Sequence, residues 1–423
     1  MAGPLPPALL PDTARVLAGD VEVGGVSLRA LADQFATPLF VYDEATLRAR
    51  CREAAASFDQ GTAYATKAFL SGAMARLALE EGLWLDVATG GEYDIARRAG
   101  VPAARLVLHG NNKSADELAR AVEEGVSRIV VDSHDEIDRL SALVGPQRGV
   151  DVLVRVTPGV EAHTHEFVRT GQEDSKFGFS VATGEASRAV ARLRALAGIR
   201  LRGVHSHIGS QIFELDGYRE ALSAVADFAR DWPVEEVCVG GGLGVAYVEG
   251  EHAPSIAEWA AGVRAAARAA GLDPAVRLSA EPGRAIVAQA AVTLYRVGTR
   301  KDVPQRRYLA VDGGMSDNPR PVLYGSGYEV FDVTRPREPR PQGVRLVGKH
   351  CESGDVLVEQ GWLPADTGVG DLVATPVTGA YGYAMASTYN RVPRPAVVFV
   401  ADGRARPVLR RETLDDLAAL EVS

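Results

Sequence analysis

Between about residue 39 and residue 288, short apolar runs rich in β-branched residues alternate with longer stretches rich in Ala, Arg and Glu. The apolar runs predict strands at 39–42, 63–66, 83–89, 106–110, 128–133, 151–158, 202–209, 237–242 and 276–283. The stretches between them predict helices, including 44–57, 114–125, 183–197, 216–230 and 255–271. Strands and helices that alternate at this spacing are typical of a parallel α/β sheet or barrel.

Gly, Pro and polar residues cluster where these predicted strands end, in TKAF, ATGGE, HGNNKS, TPGVEAHTH, SHIGSQ, GGGLG and AEPGR. In a (β/α)8 barrel the loops that follow the strands converge on one rim, which holds the active site. We therefore predict a barrel domain over 39–288. Nine strands are one more than such a barrel uses, so we expect the run at 39–42 to lie outside the closed sheet.

The pattern changes after about residue 289, where short β runs are broken by Gly and Pro and little helix is predicted before TLDDLAALEV. This predicts a β-domain of sandwich or barrel type over 289–423. The N-terminal segment 1–38, which contains VEVGGVSL, is also β-like, and we expect it to join the β-domain. The predicted fold class is α/β: a (β/α)8 barrel with a C-terminal β-domain.

Composition narrows the function classes. The chain has 423 residues, of which 46% are hydrophobic and 24% charged, as in ordinary globular proteins. A net charge of −9 argues against nucleic acid or an anionic membrane as a partner. Three widely spaced cysteines suit a reducing compartment. With no apparent signal peptide and no membrane-length apolar run, we expect a cytoplasmic protein.

Two kinds of segment could serve a phosphorylated cofactor. Lys67, at the end of a predicted strand, is either a solvated lysine or a lysine placed to form a Schiff base. Glycine-rich GGGLG (240–244) and ATGGE (88–92) follow strands, where backbone N–H groups can approach a phosphate. Tight turns also demand glycine, so neither segment decides the question alone.

Histidines and one acidic loop offer further chemistry. His205 and His207 alternate on one strand and should face the same side, with His163 and His165 nearby in sequence. No carboxylate or cysteine has the usual ligand spacing, so we predict no metal and place His207 against a flat cofactor ring. In EPGR (281–284), a carboxylate beside a pyridine nitrogen would keep that nitrogen protonated; the alternative is a surface ion pair.

The predicted β-domain carries reactive residue types in DGGMSDNPRPVLY (312–324) and GKHCESGDVL (348–357). Cys351 is either a proton donor or an inert buried thiol, and Glu352 beside it could bind an ammonium group. Cys51 and Cys238 are interpreted as structural.

The order of these motifs resembles that of the diaminopimelate decarboxylases, which belong to the fold-type III (alanine-racemase-like) pyridoxal-phosphate enzymes. The resemblance runs from 37 to 396 and is carried by YATKAF, DVATGGE, HTHEF, KFGF, HSHIGSQ, GGGLGVAY, EPGR, DNPRPVLYG, CESGD and GAYGYAMASTYN. The departures, Phe69 and Thr388, fall on no residue with an expected catalytic role.

The resemblance implies decarboxylation of meso-diaminopimelate to L-lysine, the last step of lysine biosynthesis, with pyridoxal phosphate as cofactor. Lys67 would bind the cofactor covalently, His207 would stack on its ring, and Glu281 would face its pyridine nitrogen. The residues implied to hold the phosphate are Ser210, Gly241, Gly242 and the backbone of Glu281, Pro282, Gly283 and Arg284.

The resemblance also implies how the substrate is bound. Arg284, Arg320 and Tyr324 would bind the distal carboxylate of the substrate, and Glu352 its distal ammonium. Cys351 would protonate the carbanion, and Tyr381 would lie near both cofactor and substrate. Because Cys351 and Glu352 reach the partner's site in this family, a homodimer is implied.

Three alternatives remain at this point. One is a related decarboxylase acting on ornithine, arginine, carboxynorspermidine or a carrier-bound glutamate. Arg320 together with Glu352 disfavours ornithine, which has no distal carboxylate to pair with the arginine. A racemase would work with a weaker electron sink than Glu281 provides. A non-catalytic pyridoxal-phosphate carrier would not need the β-domain.

Overall fold

The structure is a computed structural model that describes residues 6–159 and 175–422. The motif HTHEF, with His163 and His165, lies outside the described residues. The chain divides into two compact units. The first takes in the residues up to Ala49, Val245–His252 and the residues from Ile286 onward, and the second comprises Arg50–Gly244 and Ala253–Ala285. In the described part of the chain, we find no helix long and apolar enough to cross a membrane.

The N-terminal part of the first unit opens with a small antiparallel sheet. Its strands are β1 (Arg15–Val16), β2 (Val21–Val23) and β3 (Val26–Ser27). They are followed by α1 (Leu28–Phe35), β4 (Leu39–Asp43) and α2 (Glu44–Ser57). Ser27 begins α1 by accepting a hydrogen bond from Ala30 N, as an N-cap serine does.

The second unit contains a parallel barrel. Its strands are β5 (Ala63–Ala65), β6 (Trp84–Val87), β7 (Leu106–Leu108), β8 (Arg128–Val131), β9 (Val150–Thr157), β10 (Phe179–Ser180), β11 (Ile199–Ser206), β12 (Glu236–Cys238) and β13 (Arg277–Ser279). Eight of them form the order β13-β12-β11-β9-β8-β7-β6-β5, and the short β10 pairs with β9. Ala63 N donates to Ala280 O (2.9 Å) and Ala65 N to Pro282 O (3.1 Å), which joins the two ends. The predicted (β/α)8 barrel is confirmed.

Seven helices accompany these strands in the described residues. They are α3 (Gly72–Glu80), α4 (Gly90–Arg98), α5 (Ala115–Glu124), α6 (His134–Leu143), α7 (Glu185–Ala195), α8 (Asp216–Ala229) and α9 (Ile256–Ala269). Serine or threonine caps the start of five of them, because a side-chain oxygen there satisfies a backbone N–H that has no partner in the helix. These caps are Ser71, Thr89, Ser114, Ser133 and Ser255.

The amino ends of the barrel strands are closed by a buried charged group. Arg128 Nε donates to Glu236 Oε2 (2.8 Å), and the Arg128 guanidinium lies 4.6 Å from the centre of the Trp84 ring. Ser279 Oγ donates to the other Glu236 oxygen (2.7 Å). Cys238 packs in the apolar layer above, as its structural interpretation requires. This end of the barrel therefore serves packing, which leaves the opposite rim for chemistry.

The C-terminal part of the chain is mostly β. Its elements are α10 (Arg284–Val287), β14 (Ala291–Val303), β15 (Arg306–Val311), α11 (Arg320–Tyr324), β16 (Phe331–Asp332), β17 (Gln342–Val347), β18 (Val356–Leu363), β19 (Leu372–Pro376), β20 (Ala396–Ala401), β21 (Arg404–Leu409) and α12 (Leu414–Ala418). The main sheet has the order β18-β17-β15-β14-β4-β20-β21, with β19 on β14 and β16 on β19.

Two details of this sheet bear on the sequence predictions. The barrel domain was predicted to begin at 39, but β4 pairs with β14 and β20 in this sheet and is not a barrel strand. This agrees with the expectation, drawn from the count of nine predicted strands, that the run at 39–42 lies outside the closed sheet. The prediction of little helix before TLDDLAALEV missed α11. Proline in its first turn and Gly325 in the left-handed conformation at its end delimit that short helix.

Candidate active site

Lys67 lies at the barrel rim, in the short turn Thr66–Ala68 that directly follows β5. Thr66 Oγ1 donates to the carbonyl of Asp86 (2.7 Å) and fixes the turn against β6. The lysine itself is exposed, whereas its two sequence neighbours are buried. Its charge acts on both Asp86 and His207. The amine is thus accessible at the position that the sequence predicted.

Glu281, just after β13, is held between two histidines. His109 Nε2 lies 2.8 Å from Glu281 Oε1, and His205 Nε2 lies 2.9 Å from Oε2. All three side chains are buried. Burial alone would raise the pKa of Glu281, but the charge of His109 and the hydrogen bonds from both histidines hold it well below its usual range. The buried carboxyl group therefore stays ionised.

Two further groups complete this cluster. Asp86 Oδ1 lies 3.8 Å from His109 Nε2. Burial raises the pKa of Asp86 to about 6, although the charge of His109 lowers it. Burial and the charge of Lys67 lower the pKa of His207 well below its ordinary value. His207 therefore presents a neutral ring near pH 7.

The glycine-rich segment after β12 forms a close-packed turn. Gly241 N donates to His207 Nδ1 (3.2 Å), and Gly240 O accepts a hydrogen bond from Glu281 N (2.7 Å). A Cβ on Gly241 would lie 2.5 Å from the carbonyl oxygen of Glu281, and one on Gly242 2.4 Å from that of Gly209. Glycine is required here because neighbouring backbone leaves no room for a side chain.

Arg284 joins the turn region from the EPGR segment. Its guanidinium is buried and donates to Ser210 Oγ (2.8 Å). Gly283 packs equally closely, since a Cβ there would lie 2.9 Å from the carbonyl oxygen of Ala65. The EPGR segment therefore brings Glu281 and Arg284 to the rim beside the turn that carries Lys67.

The other glycine-rich candidate, ATGGE, serves a different purpose. It begins α4, where Gly90 N donates to Glu117 Oε1 (2.6 Å) and Glu92 N to Thr89 Oγ1 (3.3 Å). Ala88 N donates to the Glu92 carboxylate (2.7 Å). Side chains of the protein thus occupy these N–H groups, which favours the tight-turn interpretation over a phosphate site.

In the first unit, Arg320 is buried and firmly held. It donates to Tyr328 Oη (2.5 Å) and Ser326 Oγ (3.0 Å), and it lies 4.1 Å from the centre of the Tyr247 ring. Tyr324, its predicted companion, is half-buried at the end of the same helix. The sequence interpretation missed Tyr328, whose hydroxyl fixes the guanidinium.

The CESGD loop is bound to the DGGMSDNPR loop. Asp355 accepts hydrogen bonds from Met315 N (2.6 Å) and His350 N (2.8 Å). His350 Nε2 lies 2.8 Å from Ser316 Oγ. Asn390 Oδ1 accepts a hydrogen bond from Cys351 N (3.3 Å). Three motifs that are far apart in sequence therefore meet within this unit.

Cys351 and Glu352 are exposed at the tip of this bound loop. The alternative interpretation of Cys351 as an inert buried thiol is wrong. Cys51 and Cys238 are buried, which confirms their structural interpretation. Tyr381 is half-buried with a positive φ of 59°, a backbone conformation that non-glycine residues rarely adopt, and its charge acts on Arg320.

Sequence reasoning gave no role to His109, Asp86 or Arg155. His109 and Asp86 stand in the segments HGNNKS and DVATGGE, whose position at strand ends was the available signal. Arg155, in β9, lies 3.6 Å from Asp132 and 4.3 Å from the centre of the Phe177 ring. Nothing local in the sequence marks these partners, because each pair joins different strands or loops.

The histidines considered for a metal site are otherwise engaged. His205 bonds Glu281, His207 bonds Gly241, and His163 and His165 lie outside the described residues. One group with ligand-like spacing occurs in the described ranges: the donor atoms of His109, His205 and Glu281 lie within 4.8 Å of one another. Their mutual hydrogen bonds account for this spacing, and we assign no metal ligand here.

Comparison with known proteins supports one family. Residues 44–288 match the family model for the pyridoxal-dependent decarboxylase, pyridoxal binding domain. Diaminopimelate decarboxylase of Mycobacterium tuberculosis is 52% identical, with 97% of each chain covered. The Bacillus subtilis diaminopimelate decarboxylase is 45% identical, with 96% of this chain and 95% of the relative covered.

A solved structure agrees with these relatives. The crystal structure of diaminopimelate decarboxylase from M. jannaschii in co-complex with L-lysine covers 98% of both chains, with a TM-score of 0.90 and 30% identity. The resemblance found in the motifs therefore extends to the whole sequence and fold. On these grounds the chain belongs to the diaminopimelate decarboxylase family of pyridoxal-dependent decarboxylases.

Proposed function

We propose that this protein converts meso-diaminopimelate to L-lysine and CO₂ with pyridoxal phosphate as its cofactor. The observation that carries the proposal is the group of side chains at the barrel rim. There, the exposed amine of Lys67 interacts with Asp86 and His207, close to a buried Glu281 that two histidines keep ionised.

The rim residues fit pyridoxal phosphate in three respects. Lys67 offers a primary amine for its aldehyde, and the Glu281 carboxylate can accept a hydrogen bond from a protonated ring nitrogen. The hydroxyl of Ser210, 2.8 Å from the buried guanidinium of Arg284, offers polar groups to a phosphate. When bound, pyridoxal phosphate supplies an electron sink for the electron pair left by departing CO₂.

Each rim residue then has a defined task. Lys67 Nζ would hold the cofactor through its primary amine. The neutral His207 ring, fixed by the N–H of Gly241 at its Nδ1, would lie against the cofactor. Glu281 would keep the ring nitrogen protonated because its own carboxyl stays ionised. We assign the phosphate to Ser210, Gly241, Gly242 and the backbone of Glu281, Pro282, Gly283 and Arg284.

The charged residues of the motifs define the substrate. We assign its distal carboxylate to Arg284, Arg320 and Tyr324, and its distal ammonium to Glu352. Arg320 suits this task because Tyr328 and Ser326 already fix its guanidinium, so little side-chain entropy is lost on binding. Tyr381 is assigned a place near both cofactor and substrate.

Cys351 is the proposed acid. Its thiol is exposed on a loop whose backbone is fixed by Asn390 and Asp355, and a thiol can act as a general acid that returns a proton to carbon. We further propose that Cys351 and Glu352 act in the partner subunit of a homodimer. The exposure of both side chains at the tip of a fixed loop supports this proposal, because it leaves them available to a second subunit.

A panel of amino acids tests the proposed function. Purified protein supplied with pyridoxal phosphate should release CO₂ from meso-diaminopimelate, whereas L-ornithine, L-arginine, L-lysine and glutamate should release little. If ornithine or arginine were turned over in preference to meso-diaminopimelate, the protein would instead be a related decarboxylase that acts on that amino acid. Cofactor binding without CO₂ release from any member would instead support a non-catalytic carrier.

A further inference from the structure

The two histidines that bracket Glu281 have so far been treated as equivalent, and neither has been given a role of its own. Its two carboxylate oxygens are each taken by a different ring, His109 at 2.8 Å and His205 at 2.9 Å. The two rings meet edge to face, with centroids 5.0 Å apart and an interplanar angle of 67°. The arrangement fixes the carboxylate in position and direction.

The two rings have different surroundings, which distinguish their charge states. His205 points Nε2 at Glu281, so that nitrogen carries the proton. Its Nδ1 is buried without a hydrogen-bond partner among the described residues. A second proton there would leave a buried N–H unsatisfied, so His205 is neutral.

His109, by contrast, has two carboxylates within reach. Its Nε2 lies 2.8 Å from Glu281 and 3.8 Å from Asp86, which compensates a positive charge on the ring. Burial lowers the pKa of His109, yet the charges of Asp86 and Glu281 raise it above its usual value. Burial lowers the pKa of His205 to about 4 in spite of Glu281. These shifts in pKa agree with the charge states inferred from the surroundings of the two rings.

We propose that His109 and His205 are positioning residues for Glu281, with His109 supplying a fixed positive charge and His205 only a neutral hydrogen bond. This assignment rests on the proposed function, in which Glu281 faces the ring nitrogen of the cofactor. Its consequence is that Glu281 remains a hydrogen-bond acceptor for a protonated ring nitrogen well below neutral pH.

Several other titratable or charged groups act on this cluster from the neighbouring strands and turns, and they are the same in every variant considered below. They are Lys67, Asp86, Glu92, Arg155, His207 and Cys238. The pKa of Glu281 is depressed in the folded protein, so its ionised form persists above that pKa and is lost as pH falls through it. Removing a positively charged neighbour should raise the pKa of Glu281, so that its carboxylate becomes protonated at a higher pH.

The test is an acid titration of the visible absorbance and the affinity of bound pyridoxal phosphate. His109→Gln keeps an N–H donor but removes the charge, and should shift the acid transition upward by about 1–3 pH units. His205→Gln keeps both donor and neutrality, and should titrate like the wild type. His205→Leu removes the donor and should shift the transition upward as well.

A matched control is His134→Gln. His134 also bonds a glutamate, with Nε2 2.8 Å from Glu185 Oε2, but it starts α6 and is only half-buried. It should leave the titration unchanged. If a variant of a buried histidine does not fold, a measurement on the wild-type protein still tests the charge states of the two rings. In 15N spectra of the wild-type protein at pH 7, the imidazole assigned to His109 should be fully protonated and the imidazole assigned to His205 should be neutral.

Three outcomes would overturn the assignment alone while wild-type cofactor binding remains intact: His109→Gln titrating like the wild type, equal shifts in His109→Gln and His205→Gln, or a neutral His109 imidazole at pH 7. Stoichiometric metal in the purified protein would do the same. If the wild type and His134→Gln both failed to take up pyridoxal phosphate, the proposed function would fail, and this assignment with it.

Discussion

At the scale of single residues, the barrel rim holds buried ionised side chains whose neighbours offset the cost of burying a charge. Glu281 and Arg155 are both buried ions, yet each has an opposite charge or a hydrogen-bond donor nearby. Lys67 differs because it is exposed, and so its amine is available for reaction. The cluster is thus prepared to hold charge before any ligand arrives, which reduces the reorganisation needed during the reaction.

Lys67 gives the first prediction. Lys67→Ala should abolish the visible absorbance of the bound cofactor and reduce CO₂ release to background, because it removes the amine to which the covalent attachment of the cofactor is assigned. Lys176→Ala, in the KFGF segment, serves as the control and should retain both. Borohydride reduction followed by peptide mapping checks the attachment, and a label on another lysine would disprove it.

Arg320 gives a prediction about specificity. A charge-assisted hydrogen bond to a carboxylate contributes about 1.5–3 kcal/mol, so Arg320→Ala should lower kcat/KM for meso-diaminopimelate tenfold or more. Arg404→Ala, an exposed arginine of β21, is the control. Cofactor absorbance and thermal unfolding should be followed in parallel. An unchanged kcat/KM in folded Arg320→Ala would remove Arg320 from the substrate site.

At the scale of elements, the close-packed turn after β12 is hydrogen-bonded to the EPGR segment. The backbone of Gly240 accepts a hydrogen bond from Glu281 N, and Tyr218 Oη donates to Gly241 O (2.8 Å). Movement of this turn therefore moves Glu281 as well. The turn has little freedom, because neighbouring backbone lies within 2.5 Å of the positions where side chains would begin on Gly241 and Gly242.

This packing predicts a steric effect. In Gly241→Ala the new methyl group would meet the Glu281 carbonyl at 2.5 Å, and forcing such a contact costs about 1–3 kcal/mol. Pyridoxal phosphate affinity, measured by dialysis and absorbance, should fall about tenfold. Gly145→Ala is a matched control, because a Cβ there meets nothing within 4 Å. Equal affinity in the two variants would mean that the turn does not bind the cofactor.

At the scale of elements, the sequence also predicted most of the barrel. Apolar runs with Gly and polar residues at their ends located all eight barrel strands, since burial on both faces requires continuous apolar sequence in a parallel sheet. The place of β4 depended on pairing with β14 and β20, hundreds of residues later. Likewise, His109 and Asp86 were visible in their motifs, but their bonding partners come from other strands.

At the scale of the whole molecule, the residues assigned to the proposed reaction belong to two compact units. Lys67 belongs to the barrel unit, and Cys351 and Glu352 belong to the unit that contains the β-domain. We propose that they act together across a two-fold interface, so that each dimer would hold two composite sites. The exposure of Cys351 and Glu352 is compatible with a role toward another subunit.

Mixing two inactive variants tests this arrangement. Lys67→Ala and Cys351→Ala should complement each other, because half of randomly reassorted dimers are mixed and each mixed dimer holds one intact site. With free subunit exchange, activity should therefore recover to about a quarter of the wild-type value. Exchange is verified with an independent fluorescent label. Confirmed exchange with no recovery would exclude shared sites.

The central claim, decarboxylation at one carbon of meso-diaminopimelate, is tested most directly by the products of a single incubation. Chiral chromatography together with CO₂ trapping should find one L-lysine for each CO₂ released, with no D-lysine and no change in the stereochemistry of the remaining substrate. Lys67→Ala protein should give neither product. Isomerised diaminopimelate without CO₂, or CO₂ without L-lysine, would contradict the proposed reaction.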